Sequence, residues 1–380
     1  FRSHQINTPT VDSLAAEGVI LDQYYVQDVC SPTRSTFLSG RYPLHTGIND
    51  WIHPASSFGL PLSINTTADI LKDAGYDTHA IGKWHLGFHK WDYTPTFRGF
   101  NSFYGFYTGG EDYFKHTSSG FYDFRDDKSS RCGEGCSRVA SEASGQYSTT
   151  LFSERAVSVI ENHDPETPLY MYLAYQAVHA PAEVPQSYID PYINKIQDKK
   201  RRTFAGMLSC MDEGLGNVTA MLKKKGMWEN TLTVFTTDNG GPTTTGDGVG
   251  ARNWPLRGGK HSIWEGGTRG TAVVHGKMLK NTPYTNENLM HSVDWLPTLS
   301  NLVGGKTPTD LDGVDQWDSI ANKGKSVRNE ILYGIDDDPM ANRGIRVGKW
   351  KLLQQSGGTP DTWYAPVNLT APLYALNPLL

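Results

Sequence analysis

Apolar residues follow two different spacings along this chain, and the two spacings alternate. Short β-branched and aromatic runs predict strands over 76–81, 169–175, 232–236 and 271–274. Apolar positions at helical spacing predict helices over 8–18, 67–74, 147–162 and 206–222. This alternation predicts an α/β domain in which helices flank a largely parallel or mixed central sheet.

The amino-acid composition changes at two places along the chain. Residues 108–144 are rich in turn-forming residues, which predicts a long surface excursion. The composition shifts near Ala321, and residues 344–353 have the pattern of a hairpin. We therefore expect a large domain over 1–325 and the start of a small α+β domain over 326–380.

Composition places the chain among soluble globular proteins. It has 380 residues, of which 38% are hydrophobic and 20% charged, with a formal net charge of −5. That balance favours neither nucleic acid nor an acidic membrane surface as a partner. No apolar run is long enough to span a bilayer. The chain begins with Phe1 rather than Met, so we expect a partial or processed chain.

Cysteines and glycosylation motifs indicate the secretory route. Cys132 and Cys136 lie in a Gly-containing polar loop, where a local disulfide or a metal-binding clip would fit. Cys210 lies within a predicted helix, which is typical of core packing. Three Asn-x-Ser/Thr motifs, at Asn65, Asn217 and Asn368, favour a secreted or lysosomal protein.

The run from Cys30 to Arg41, CSPTRSTFLSGR, carries the strongest chemical signal. Pro32 fits the first turn of a helix, and Gly40 fits its end. Cys30 would then lie at a helix N-terminus, which favours an anion, and Arg34 would lie one turn further along. The alternative is a buried structural cysteine ahead of a helix with a solvated arginine.

A second group follows the strand predicted at 76–81. Gly82 would end that strand, and Lys83 and His85 would project from its carboxyl end, where open α/β sheets bind ligands. A lysine suits an anionic oxygen, and a histidine suits proton transfer near neutral pH. The alternative is a solvated lysine beside a packed histidine.

Further candidate groups lie later in the chain. Asp238 and Asn239 follow a predicted strand and offer oxygen ligands that suit Ca²⁺, although an Asn-Gly turn would look the same. His179 follows the strand at 169–175, and Lys260 lies in a Gly-rich loop. Alone, a turn histidine and a solvated lysine would explain the last two.

Taken together, these motifs resemble the signatures of the type I sulfatases, nearest to the arylsulfatase B branch. The resemblance covers nearly the whole chain, including the segments 50–51, 109–113, 209–213, 253–257 and 294–298. It implies an alkaline-phosphatase-like α/β fold with a small C-terminal α+β domain. It also implies hydrolysis of sulfate esters, expected here on sulfated N-acetylgalactosamine of glycosaminoglycans.

The resemblance implies an unusual nucleophile. In the family, the cysteine at the position of Cys30 is oxidised to formylglycine by a formylglycine-generating enzyme, and the hydrated aldehyde attacks sulfur. Arg34 would hold that hydrate. One Ca²⁺, bound by residue 30, Asp238 and Asn239, would neutralise the sulfate oxygens.

The remaining residues receive roles from the same resemblance. Lys83 and Lys260 would contact the sulfate, and Lys260 or His179 would protonate the leaving alcohol. His85 would then take the proton from the second hydroxyl of residue 30, and sulfate would be expelled.

One departure from the family pattern stands out. Sulfatases carry paired aspartate metal ligands on a first strand, upstream of the helix that begins here at Thr8. Asp12, Asp22 and Asp28 do not occupy that position. We therefore expect a fragment that lacks one strand of its sheet and the C-terminal end. Two rival functions stay open: an inactive sulfatase-like glycan-binding protein, and a phosphoesterase of the same superfamily.

Overall fold

A computed structural model describes residues 5–128, 135–243, 250–336 and 338–363. The described part contains ten α-helices. They are α1 Pro9–Glu17, α2 Cys30–Ser39, α3 Pro43–Thr46, α4 Thr67–Asp73, α5 Ser148–Asn162, α6 Gln186–Ile189, α7 Lys199–Lys224, α8 Glu265–Thr268, α9 Trp295–Leu302 and α10 Trp317–Asn322.

Fifteen strands accompany these helices in the described residues. They are β1 Val19–Leu21, β2 Tyr24–Tyr25, β3 Asp77–Lys83, β4 Ser102–Phe106, β5 Thr117–Ser118, β6 Phe121–Tyr122, β7 Arg125–Asp127, β8 Leu169–Ala174, β9 Thr233–Thr236, β10 Ala272–His275, β11 Tyr284–Asn286, β12 Met290–His291, β13 Glu330–Tyr333, β14 Arg343–Val347 and β15 Trp350–Gln354.

Two four-stranded sheets form the framework. One has the order β7-β4-β3-β8, in which β3 is parallel to β4 and β8 while β7 is antiparallel. The other has the order β11-β1-β10-β9 and is also mixed. The predicted mixed α/β architecture is confirmed. The central sheet is not continuous in the described residues, because β8 and β9 each end one of the two sheets.

Helices cover both faces of the first sheet, as the alternation of side chains along a strand requires. Ala80 packs with Leu38 of α2 and Ala68 of α4 on one face. The next residue, Ile81, packs with Phe152 of α5 on the other face. The sheet is thus a buried central layer whose strand ends are free to carry a site.

Two sequence expectations need correction. Helix α7 begins at Lys199 rather than near Gly206, because the Asp198 side chain accepts a hydrogen bond from the Arg201 N–H and starts the helix earlier. The segment 108–144 is not a purely superficial excursion. Its aromatic residues enter the core, where Phe124 is fully buried and stacks on Phe152.

Strands β13, β14 and β15 form a separate antiparallel sheet near the end of the chain, which confirms the predicted hairpin. Buried Ile331 and Tyr333 of this sheet pack against Tyr25 and Ile263. The division at residue 325 stays a prediction. No helix in the described part of the chain is long and apolar enough to cross a membrane.

The described residues include some, but not all, of the cysteines and glycosylation motifs. Cys136 is disulfide-bonded, whereas Cys132 lies outside the described residues. Cys210 is a free, buried thiol, as expected for core packing. Asn65 and Asn217 are exposed, and Asn368 lies outside the described residues.

Candidate active site

Helix α2 places Cys30 and Arg34 as the sequence predicts. The helix starts at Cys30 after Val29, which has an extended backbone. It ends at Gly40, whose φ of 66° is left-handed and whose N–H bonds to the Thr36 carbonyl. Cys30 and Arg34 are both buried, so the helix carries its polar groups into the protein rather than into solvent.

The carboxyl end of β3 brings Lys83 and His85 to the same place. Gly82 has a φ of 100°, and a Cβ there would lie 2.0 Å from the Ala174 carbonyl oxygen, so only glycine fits. Lys83 is 2% exposed and His85 is 3% exposed. Such complete burial excludes the alternative of a solvated lysine.

Cys30 lies in a strongly cationic environment. Burial alone would raise the pKa of its thiol. The ammonium groups of Lys83 and Lys260, with His179 and His85 beside the sulfur, outweigh burial and hold the pKa of the thiol well below its usual range. The same groups would stabilise any anion formed at or bound to residue 30.

His85 is oriented as a proton acceptor. Its Nε2 lies 3.0 Å from the Ile52 carbonyl oxygen, so Nε2 must carry the proton. Its buried Nδ1 has no conventional hydrogen-bond partner and is left with a lone pair on the side of Cys30. Burial, followed by the charge of Lys83, lowers the pKa of His85 to about 4. His85 is therefore neutral above that pH.

His179 and Lys260 meet although 81 positions separate them in the sequence. The His179 Nδ1 lies 2.8 Å from the Ala180 carbonyl oxygen and must donate to it. The His179 Nε2 therefore accepts from the Lys260 Nζ, 3.1 Å away. The two histidines thus have opposite tautomers, and the lysine that bonds to His179 is 3% exposed.

The segment 109–113 contacts both His85 and His179. No role was predicted for it from the sequence. A Cβ on Gly109 would lie 2.6 Å from the His85 ring, and one on Gly110 would lie 3.2 Å from the His179 ring. The Tyr113 hydroxyl donates to the His179 carbonyl oxygen at 2.9 Å. The paired glycines ahead of Tyr113 and the family resemblance of this segment were the available signals.

Arg34 joins the two sheets at the site. Its guanidinium donates to the Lys83 carbonyl oxygen at 2.8 Å and to the Asp238 carboxylate at 2.9 Å. It also lies 3.5 Å from the hydroxyl of Tyr172 on β8. Arg34 therefore reaches the carboxyl ends of β3 and β9 together.

Asp238 and Asn239 offer the type of oxygen ligand that suits a cation, but two residues are too few to complete its coordination. The Asn239 Oδ1 is buried without a hydrogen-bond partner, while its Nδ2 donates to the Gly240 carbonyl oxygen. An orphaned oxygen beside a carboxylate suits Ca²⁺, which takes six to eight oxygen ligands. Within the described ranges, no group of three or more His, Cys, Asp or Glu could hold a metal. These two residues therefore form part of a metal site at most.

The loop that carries Lys260 is held by residues 357–363. The Gly258 N–H bonds to the Thr362 carbonyl oxygen at 3.0 Å, and Ser262 pairs with Gly358. The Arg257 guanidinium lies 3.7 Å from the Trp264 ring centroid and 5.0 Å from that of Trp363. The position of Lys260 thus depends on the last described residues of the chain.

The sequence of this chain is similar to those of known sulfatases. Mouse arylsulfatase J is 40% identical over 390 aligned positions, which cover 96% of this chain and 63% of the relative. Human arylsulfatase A is 29% identical and mouse N-acetylgalactosamine-6-sulfatase 27% identical. Those alignments cover 94% and 90% of this chain, and 72% and 66% of the relatives. The chain thus spans about two thirds of the length of these relatives, and closeness to arylsulfatase B stays a prediction.

Solved structures share the fold. The crystal structure of Ps i-CgsB in complex with k-i-k-neocarrahexaose matches with a TM-score of 0.82 and 28% identity over 93% of this chain and 80% of that one. A phosphonate monoester hydrolase from Silicibacter pomeroyi has a TM-score of 0.59 and 16% identity, with coverage of 92% and 82%, which shows a shared fold alone. The Sulfatase family model matches residues 1–305. The chain therefore belongs to the sulfatase family.

Proposed function

We propose that this protein hydrolyses sulfate esters, with residue 30 as the nucleophile. The supporting observation is the surroundings of Cys30 at the start of α2, where two buried lysines and two histidines of opposite tautomer converge. A sulfate monoester is an anion with a leaving alcohol, so its cleavage needs cations, a base and an acid. This set supplies all three.

Residue 30 would act as formylglycine, whose geminal diol supplies an oxygen nucleophile for sulfur. The His85 Nδ1 has a free lone pair, and the lowered pKa of His85 keeps the ring neutral, so that Nδ1 is available to accept a proton from a hydroxyl at position 30. The Lys260 Nζ can give a proton to the leaving alkoxide, since it is already held in a hydrogen bond to His179. Lys83, buried beside residue 30, would neutralise the sulfate oxygens.

The resemblance to sulfatases also implies one Ca²⁺ at this site. Asp238 and Asn239 would hold the ion together with residue 30 and further ligands. When bound, Ca²⁺ would neutralise charge on a sulfate oxygen. Arg34, which bonds to the Asp238 carboxylate, would keep that ligand in position.

The substrate we propose is a sulfated carbohydrate, most simply sulfated N-acetylgalactosamine of a glycosaminoglycan. Support comes from one relative named N-acetylgalactosamine-6-sulfatase and from a structural neighbour solved with a neocarrahexaose. We further propose a secreted or lysosomal location, consistent with the exposed Asn65 and Asn217 motifs. A formylglycine-generating enzyme would then be its partner during maturation.

The test uses Cys30→Ala, with Cys210→Ala as the matched control because Cys210 is the other free, buried cysteine of the described part. We expect Cys30→Ala to lose all hydrolysis of an aryl sulfate while its circular dichroism stays unchanged. We expect Cys210→Ala to remain active. Mass spectrometry of the peptide containing residue 30 should show the aldehyde in the wild type.

The alternatives have distinct outcomes in the same experiment. A protein that retains the thiol at residue 30, hydrolyses no sulfate ester and still binds sulfated oligosaccharide would be the inactive binder. Hydrolysis of a phosphate monoester with no action on aryl sulfate would indicate the phosphoesterase. Retained sulfatase activity in Cys30→Ala would refute the nucleophile.

A further inference from the structure

A cavity of about 280 Å³ has the glycosylation motif residue Asn65 in its wall. We call it the Asn65 cavity, and no residue of its wall takes part in the chemistry proposed above. Sites for small molecules in proteins begin at about 300 Å³, so the cavity has room for one sugar ring rather than several. Besides Asn65, its wall includes Leu62, Ile64, Asp69, Asp92 and Phe97.

The wall of the cavity combines apolar surface with hydrogen-bond acceptors. Leu62 is 47% exposed and Phe97 is half-buried, so both leave apolar surface uncovered. The carboxylates of Asp69 and Asp92 can accept hydrogen bonds but would repel an anion. The cavity therefore suits an uncharged ring that has an apolar face and several donors at its edge. The N-acetylglucosamine that begins an N-linked glycan has these properties, with hydroxyl and acetamido N–H groups as the donors.

The shape of the cavity is fixed by the protein itself. Arg98, which also lies in the wall, is 4% exposed and donates to three backbone carbonyl oxygens of the segment 60–64 at 2.6–3.3 Å. On the other side of Asn65, Thr66 and Asp69 form a capping box that starts α4. Since both flanks are held, a sugar ring can dock without the cost of ordering the protein around it.

The threonine of the motif restricts when a sugar could be attached. The Thr67 side chain is buried, and its hydroxyl donates to the Leu38 carbonyl oxygen of α2 at 3.2 Å. The hydroxyl that defines the motif is thus enclosed between α4 and α2 in the folded chain, whereas Asn65 itself is exposed. A glycan would have to be attached before these two helices pack, and its first ring would be present while the cavity forms.

We propose that Asn65 carries an N-linked glycan whose first N-acetylglucosamine ring lies in the Asn65 cavity. The apolar face of the ring would pack on Leu62 and Phe97, and the carboxylates of Asp69 and Asp92 would accept from its hydroxyl and acetamido groups. The glycan at this position is then part of the packed structure rather than a solvated appendage. The inference requires the secretory location proposed above, but it does not require the sulfatase reaction.

The test measures how fast peptide-N-glycosidase releases the glycan from the native protein, produced in a secretory eukaryotic host. Release in heavy-oxygen water labels the aspartate that is formed, so mass spectrometry follows Asn65 and Asn217 separately. Leu62→Ser keeps the motif but removes apolar wall, and it should speed release at Asn65 on the order of tenfold, which corresponds to about 1.4 kcal/mol of docking free energy. Leu44→Ser is the matched control, because Leu44 is 46% exposed and lies outside the wall of the Asn65 cavity. Release at Asn217 should be the same in all three proteins.

Each other outcome overturns the inference. Equal release at Asn65 in the wild type and in Leu62→Ser would show that the ring does not lie in the cavity, and so would an equal acceleration in Leu44→Ser. An Asn65 without glycan beside an occupied Asn217 would overturn the inference and leave the secretory location intact. If both asparagines are unmodified, the proposed location fails and the inference fails with it. Hydrolysis of an aryl sulfate, measured on the same samples, tests the sulfatase function separately.

Discussion

Replacing Tyr113 by Phe tests whether the segment 109–113 positions His179 for catalysis. The change removes one oxygen from a fully buried ring and leaves the His179 carbonyl without its donor at 2.9 Å. An unsatisfied buried acceptor costs about 1–3 kcal/mol. Part of that cost will be relieved by a shift of the His179 loop, which would lengthen the 3.1 Å contact between His179 and Lys260.

The size of the effect on catalysis follows from that cost. If about 1.4 kcal/mol of that cost raises the activation free energy of the reaction, kcat falls about tenfold. We expect KM to change less, because the lost hydrogen bond is to the backbone of His179. The assay is steady-state hydrolysis of an aryl sulfate, with urea unfolding measured on the same samples.

Tyr147 provides the matched control. Its ring stacks on that of Tyr113 with centroids 5.3 Å apart, and its hydroxyl donates to the Glu183 carbonyl oxygen at 2.8 Å. Tyr147→Phe should therefore lose similar stability but keep its kcat. Equal losses of kcat in the two variants would show that Tyr113 acts only through stability, and an unchanged kcat in Tyr113→Phe would refute the positioning role.

Three other substitutions test separate parts of the structure. Gly109→Ala should lower kcat/KM on the order of a hundredfold, because its Cβ would meet the His85 ring. Gly135→Ala is the control: position 135 has open space around it, so kcat/KM should not change in the same assay. Lys83→Ala should lower kcat/KM steeply while thermal unfolding stays cooperative, and a preserved kcat/KM would exclude its role in charge neutralisation. Asp294→Asn should lower the free energy of unfolding in urea by about 3–5 kcal/mol, because the buried Arg328, 2.6 Å from that carboxylate, would lose its partner. A loss under 1 kcal/mol would contradict that account.

Local chemistry explains why much of the site could be predicted. Pro32 and Gly40 bound a helix by rules that act within a few residues, so the position of Cys30 at its start followed from the chain alone. Lys83 and His85 lie within three residues of Gly82, whose close approach to β8 marks the strand end. The resemblance to sulfatases then added roles that no spacing could supply.

What could not be predicted depends on contacts between distant segments. Nothing near Lys260 indicates that it meets His179, because the contact forms only when two loops from different sheets converge. The paired glycines 109–110 look like a turn, although they pack against two imidazole rings. The burial of Phe124 likewise arises from stacking on a helix that begins at Ser148. The prediction of a surface excursion over 108–144, based on turn-forming residues alone, was therefore wrong for its aromatic residues.

The bracing of the Lys260 loop by residues 357–363 has a consequence for how this protein tolerates change. These residues form no part of the two large sheets, yet they hold the backbone on both sides of a lysine that faces residue 30. A deletion or a lengthened loop in this stretch would leave both sheets folded and normally abundant while displacing Lys260. Under the proposed function, variation there would therefore give normal protein yield with poor turnover.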